Sequence, residues 1–164
     1  MNIMKNFRLW LILFLPLLIL FGFANQGRAA EVVVIPMKGS INPAVAEMFL
    51  KALQEAEQNG AAAVVIRLDT PGGLLTSTLE IVEGILNSKV PVVAYVSPAG
   101  AQCASAGTFI ALACPVLAMA PGTNIGAAHP VTPIGKMDET MEKKVVNDAS
   151  ACITSLAVRL GRNA

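Results

Sequence analysis

A chain of 164 residues, 54% of them hydrophobic and with a mean hydropathy of +0.61, is one domain's worth of sequence with an apolar excess over an ordinary soluble domain. Its 12 Lys and Arg against 11 Asp and Glu leave a net charge of +1, and no basic run interleaves with aromatics, which sets nucleic acid aside as a partner. Three cysteines, Cys103, Cys114 and Cys152, are odd in number and follow no scaffold spacing, so they read as small buried hydrophobes. With no CxxC, HExxH or carboxylate cluster, no metal site is expected.

The apolar excess is partly local. Lys5 and Arg8 precede an apolar run from Leu9 to Phe23, and Gly27-Arg28-Ala29 follows it before Ala30. This order fits a secretory signal peptide. The run falls short of the roughly 20 residues of a comfortable membrane span, and Pro16 interrupts it. A retained N-terminal anchor is the alternative, and either way the body of the chain from Glu31 is exported. Residues 1–30 are thus expected to be leader or anchor, and 31–164 the functional domain.

From Glu31 the pattern repeats. EVVVIPMKGSI is a β-branched run expected to form a strand buried on both faces. Asn42-Pro43 then opens a helix, a capping side chain followed by proline at the first helical position. Val45, Phe49, Ala52, Leu53 and Ala56 keep one apolar stripe until Asn59-Gly60 stops it. AAAVVIRL is a second strand, DTPGG a turn, LLTSTLEIVEGILNSK a second amphipathic helix and VPVVAYV a third strand. Strands alternating with helices of this length imply βαβ crossovers and a mostly parallel sheet. SPAGAQCASAG reads as a small-residue loop feeding a short apolar helix, VLAMA as a fourth strand, and PGTNIGAAHPVTPIG as a loop. The last segment is helical in period, with Met141, Val145, Ala149, Cys152, Ile153 and Leu156 on one side.

In a parallel sheet, function gathers in the loops at the carboxyl ends of the strands. Three loops qualify: DTPGG, SPAGAQCASAG and PGTNIGAAHP. The glycines of DTPGG can aim backbone N–H groups at a ligand beside a helix start, although turn chemistry alone explains Pro-Gly-Gly. The loop is too short for a P-loop, which disfavours nucleotide. Ser105 stands between Ala104 and Ala106 at a helix start, where it can be a simple cap or a nucleophile with room around it. Candidate bases are His129, the one histidine, and Lys136, Lys143 and Lys144. Of the adjacent pair, Lys144 falls nearer the apolar side, and a desolvated lysine gives up its proton more readily.

The ordered blocks DTPGG, SPAGAQCASAGTFIALA, MAPGTNIGAAHPV, EKKVVND and SLAVRLGRN resemble those of the NfeD-type membrane-associated serine proteases, stomatin-operon partners within the Clp protease and crotonase-like superfamily. The resemblance covers residues 31–164 and implies a Clp protease/crotonase-like fold of repeated βαβ units. It implies Ser105 as nucleophile, Lys144 of the K-x-x-N register as general base, and Gly72 and Gly73 as oxyanion-hole donors. A Clp-like Ser-His-Asp triad would instead use His129, but its aspartate would lie beyond the sequence. The family pattern continues past Ala164, so the protease domain is expected to be incomplete at its C-terminus. Together these imply an exported, membrane-associated or periplasmic serine endopeptidase without cofactor, cleaving hydrophobic segments such as those of a stomatin-like membrane partner and assembling as a homo-oligomer. The alternative is a catalytically incompetent scaffold or truncated paralogue that binds a stomatin-like protein. A crotonase-type acyl-CoA enzyme is disfavoured, since export removes the chain from CoA.

Overall fold

The computed structural model describes residues 30–128 and 138–162. The leader, His129, Lys136 and the end of the chain lie outside the described residues. Four strands form an all-parallel sheet in the order β1 (Val32–Lys38), β2 (Ala63–Asp69), β3 (Val92–Val96) and β5 (Val116–Met119). Three helices separate them: α1 (Pro43–Gln58), α2 (Leu75–Asn87) and α3 (Ala106–Ala113); α4 (Glu139–Arg159) follows the sheet. Asn42 caps α1 as its position suggests, its side-chain oxygen accepting from the Val45 N–H at 3.1 Å.

The strands step across the sheet in one direction, and parallel crossovers are right-handed, so the connecting helices gather on one face. Burial follows that parity. Ile35 and Met37 of β1, Val64, Ile66 and Leu68 of β2, and Val92, Ala94 and Val96 of β3 are all buried against Phe49, Leu53, Ile81, Ile85 and Ile110. Their neighbours in sequence point the other way. Val32 and Val34 are 51% and 52% exposed, which corrects the expectation of a first strand buried on both faces. A β-branched run reports strand propensity, but only the connectivity decides that the helices share one side.

Two three-residue strands also differ from the loops expected there. β4 (Gln102–Ala104) and β6 (Asn124–Gly126) pair in parallel as a small second sheet, with Cys103 opposite Ile125 and Ala104 opposite Gly126. Elements this short carry no readable periodicity. In α4 the apolar side holds from Val145 onward, with Ala149 and Leu156 buried, but Met141 is 50% exposed and lies outside it. Among the described residues, no helix is long and apolar enough to cross a membrane.

Candidate active site

The loops after β2, β3 and β5 meet at the carboxyl edge of the sheet, as the parallel arrangement requires. Thr70, directly after β2, bridges to Cys103: its N–H donates to the Gln102 carbonyl at 2.7 Å, and its carbonyl accepts from the Ala104 N–H at 3.0 Å. The third loop closes from the other side, where the Gly126 carbonyl accepts from the Ser105 N–H at 2.8 Å. Backbone bonds from two loops therefore hold the short segment Gln102–Ser105.

Ser105 sits at φ +50°, ψ −111°, between β4 and α3, and makes no side-chain capping bond. The simple-cap reading of this serine fails on that point. A non-glycine residue in this backbone region carries strain of about 1–3 kcal/mol and persists only where its surroundings over-determine it. Those surroundings are visible: besides the strand bonds, the Thr108 hydroxyl lies 3.1 Å from the Cys103 carbonyl and 2.9 Å from that of Gly126. A strained strand-to-helix serine is the arrangement by which nucleophile elbows present a hydroxyl. Replacing Thr108 by valine removes this tie, leaving the Gly126 carbonyl, among the described residues, with the Ser105 N–H alone and the carbonyl of buried Cys103 without its hydroxyl partner. A loss of about 1–3 kcal/mol in urea unfolding is the expected outcome, with slower reaction at Ser105.

The small residues around Ser105 have a packing reason that the sequence did not disclose. A Cβ on Gly107 would lie 2.7 Å from Thr70 Cγ2 and 3.0 Å from Cys103 Sγ, so glycine lets α3 seat against the β2 loop. Gly72 stands over the serine itself: a Cβ there would lie 2.8 Å from Ser105 Cβ and 3.2 Å from Oγ, and its φ is +127°. The two glycines of DTPGG behave differently. The Gly72 N–H donates to the Thr70 hydroxyl at 3.0 Å, whereas the exposed Gly73 N–H has no acceptor among the described residues. A further donor, absent from the sequence reading, is the Ala106 N–H at the first position of α3. It follows Ser105 directly, has no acceptor among the described residues, and carries the positive end of the helix dipole. Recognising Ser105 as a helix start was the signal that could have pointed to it.

Lys144 lies in the first third of α4 and is exposed. This departs from the expected desolvation. Met141, one turn earlier, is half exposed, so described residues do not cover this end of the helix. Lys143 is set apart by an ion pair with Glu139 at 2.7 Å. Cys103, two residues before the serine, is fully buried, and burial pushes its thiol up to about 12, as it does that of Cys114. Both stay protonated near neutral pH, which removes Cys103 as a competing nucleophile.

Parallel βαβ units with a strained serine at the carboxyl edge define an α/β protein of Clp protease-like fold. A family model described as the NfeD1b N-terminal domain matches residues 31–164, and the chain belongs to that family. Membrane-bound protease PH1510 of Pyrococcus horikoshii is 42% identical over 153 residues, covering 92% of this chain and 35% of the relative. The chain thus spans about a third of that curated relative's length. Two solved structures of the 1510-N membrane-bound stomatin-specific protease superimpose with a TM-score of 0.75 and cover 83% of this chain. One is a serine-to-alanine variant, 41% identical and covered over 67% of its length. The other is a lysine-to-alanine variant in complex with a substrate peptide, 40% identical and covered over 64%. ClpP1 of Listeria monocytogenes superimposes with a TM-score of 0.61 at 25% identity, over 82% of this chain and 74% of that one.

Proposed function

We propose that the chain is the proteolytic part of an exported, membrane-associated serine endopeptidase, with residues 1–30 as leader or anchor, and that it cleaves extended hydrophobic segments with a Ser105-Lys144 dyad. The observation that carries the reading is the backbone of Ser105, a strained residue between strand and helix whose hydroxyl does no capping. The solved relative, named a stomatin-specific protease and known as serine and lysine variants, supports the same pair of residue types and a stomatin-like membrane protein as substrate.

In this reading the Lys144 amine takes the proton of Ser105 Oγ as the oxygen attacks the peptide carbonyl carbon. The oxyanion is held by the N–H groups of Gly73 and Ala106, the Gly72 N–H being engaged by the Thr70 hydroxyl. Collapse of the tetrahedral species breaks the C–N bond, and the leaving amine takes the proton from Lys144. Water, giving a proton to Lys144, then attacks the acyl carbon; collapse breaks the bond to Ser105 Oγ, which takes the proton back from Lys144 as the acid product leaves. A seated substrate is what would remove the lysine from water.

The base is tested by comparing cleavage of a hydrophobic peptide by Lys144→Ala and His129→Ala. The dyad predicts a loss of at least about 10²-fold for Lys144→Ala, within the range of general-base catalysis, and near-normal rates for His129→Ala. The opposite pattern would transfer the role to the histidine.

A further inference from the structure

The chain leaves α4 through a Schellman turn: Gly161 sits at φ +64°, its N–H donates to the Val158 carbonyl at 3.1 Å, and the Arg162 N–H donates to that of Ala157 at 2.8 Å. Leu160-Gly161 therefore fixes the direction in which Arg162 departs. Its guanidinium reaches across to α3, where Nη1 donates to the Leu112 carbonyl at 2.8 Å and Nη2 to the Cys114 carbonyl at 2.7 Å. These acceptors are at the last turn and cap of α3, helix carbonyls that have no partner within the helix itself. Six of its eight residues from Ala106 to Ala113 are buried aliphatic or aromatic side chains or glycine, so water is a poor substitute there. A rigid fork with two donors satisfies both carbonyls, and its charge opposes the negative end of the helix.

We propose that Arg162 is a positioning residue for the nucleophile, acting through α3. The helix is about 12 Å long at 1.5 Å per residue. Its far end is held by the Arg162 fork, and its near end carries Ser105 and the Ala106 N–H. Clamping the last turn fixes the axial position of the helix, and with it the distance from the hydroxyl and amide to a bound carbonyl. It also ties α3 to α4, the helix that bears Lys144. The inference rests on the reading of Ser105 as nucleophile, but the clamp can be observed without activity.

The test uses the full chain as wild type, Arg162→Ala and Arg162→Lys. Acylation of Ser105 by an activated ester gives kcat and KM, and amide hydrogen exchange follows α3 with α2 as internal reference. Misplacement by 1 Å can cost on the order of 10²-fold in rate, so Arg162→Ala is expected to lower kcat by about 10- to 100-fold. KM stays within about two-fold, since a displaced nucleophile affects the reacting geometry more than substrate binding. Exchange rises across 106–113 and not in α2. Arg162→Lys, which keeps the charge but loses the fork, restores part of kcat, as does guanidinium ion added to Arg162→Ala. Normal kcat together with normal exchange in α3 would overturn the proposal. So would a loss of stability with kcat per folded molecule unchanged. If Arg162→Ala does not fold, a Lys variant with wild-type kcat and exchange would count against the fork. A wild-type chain that is never acylated, with α3 exchange still raised in Arg162→Ala, would sink the nucleophile reading and leave the clamp standing.

Discussion

Replacing Ser105 by alanine is expected to reduce peptide cleavage to background, a loss of at least about 10³-fold, because members of a nucleophile-base pair act as a unit. Glycine at the same position sharpens the prediction. It is equally inactive, yet it accepts φ +50° without the steric cost that a Cβ imposes. Relief of about 1–3 kcal/mol of backbone strain, set against about 0.5–1 kcal/mol for the greater entropy of glycine in the unfolded chain, leaves Ser105→Gly more stable by roughly 1 kcal/mol. Urea unfolding of the wild type and both variants measures the difference. A serine serving only as a helix start would show no such trade of stability against activity. If Ser105→Gly were clearly less stable than Ser105→Ala, the strain would not be real.

The second large effect is expected at Gly73. A Cβ there would fall 2.1 Å from the Ile41 carbonyl oxygen and 2.5 Å from its nitrogen, which is an impossible approach to backbone. The crowding arises because Gly73 bridges Ile41, with the Ile41 N–H bonded to the Gly72 carbonyl at 2.8 Å and the Leu74 N–H to the Ile41 carbonyl at 2.9 Å. Gly73→Ala must break this tie between the ends of β1 and the β2 loop and shift fully buried Ile41. Two lost backbone bonds at about 1 kcal/mol each and overpacking of about 1–3 kcal/mol give an expected destabilisation of about 3–5 kcal/mol. Thermal unfolding checks it, and a change under about 1 kcal/mol would show that the loop is not pinned as described. Activity would fall as well if the Gly73 amide is one of the proposed oxyanion donors.

Much of the architecture was legible because the signals were local and repeated. Alternating β-branched runs and amphipathic stripes gave three βαβ steps, and Asn42-Pro43 marked a helix start to the residue. Side choice was less readable. The exposure of Val32 and Val34 depends on all crossovers turning the same way, which no single strand encodes. β4 and β6 were hidden inside small-residue loops because three residues cannot show a period and their pairing joins segments more than twenty positions apart. Ser105 was visible as a candidate by its setting, but its decisive property, a backbone conformation imposed by Thr70, Thr108 and Gly126, comes from contacts between loops. The sequence also could not separate Gly72 from Gly73, one bonded to Thr70 and the other without an acceptor among the described residues. Nor could it separate the stripe of α4 that packs, beginning at Val145, from the uncovered turn that holds Met141 and Lys144.

The central claim is that Ser105 is a nucleophile, and the most direct measurement is the mass of the full chain after incubation with an activated acyl ester, followed by peptide mapping. The account predicts one acyl group per chain, located on Ser105, absent from Ser105→Ala and formed far more slowly in Lys144→Ala. An adduct that persists in Ser105→Ala, or a wild-type chain acylated only at other side chains, would contradict it.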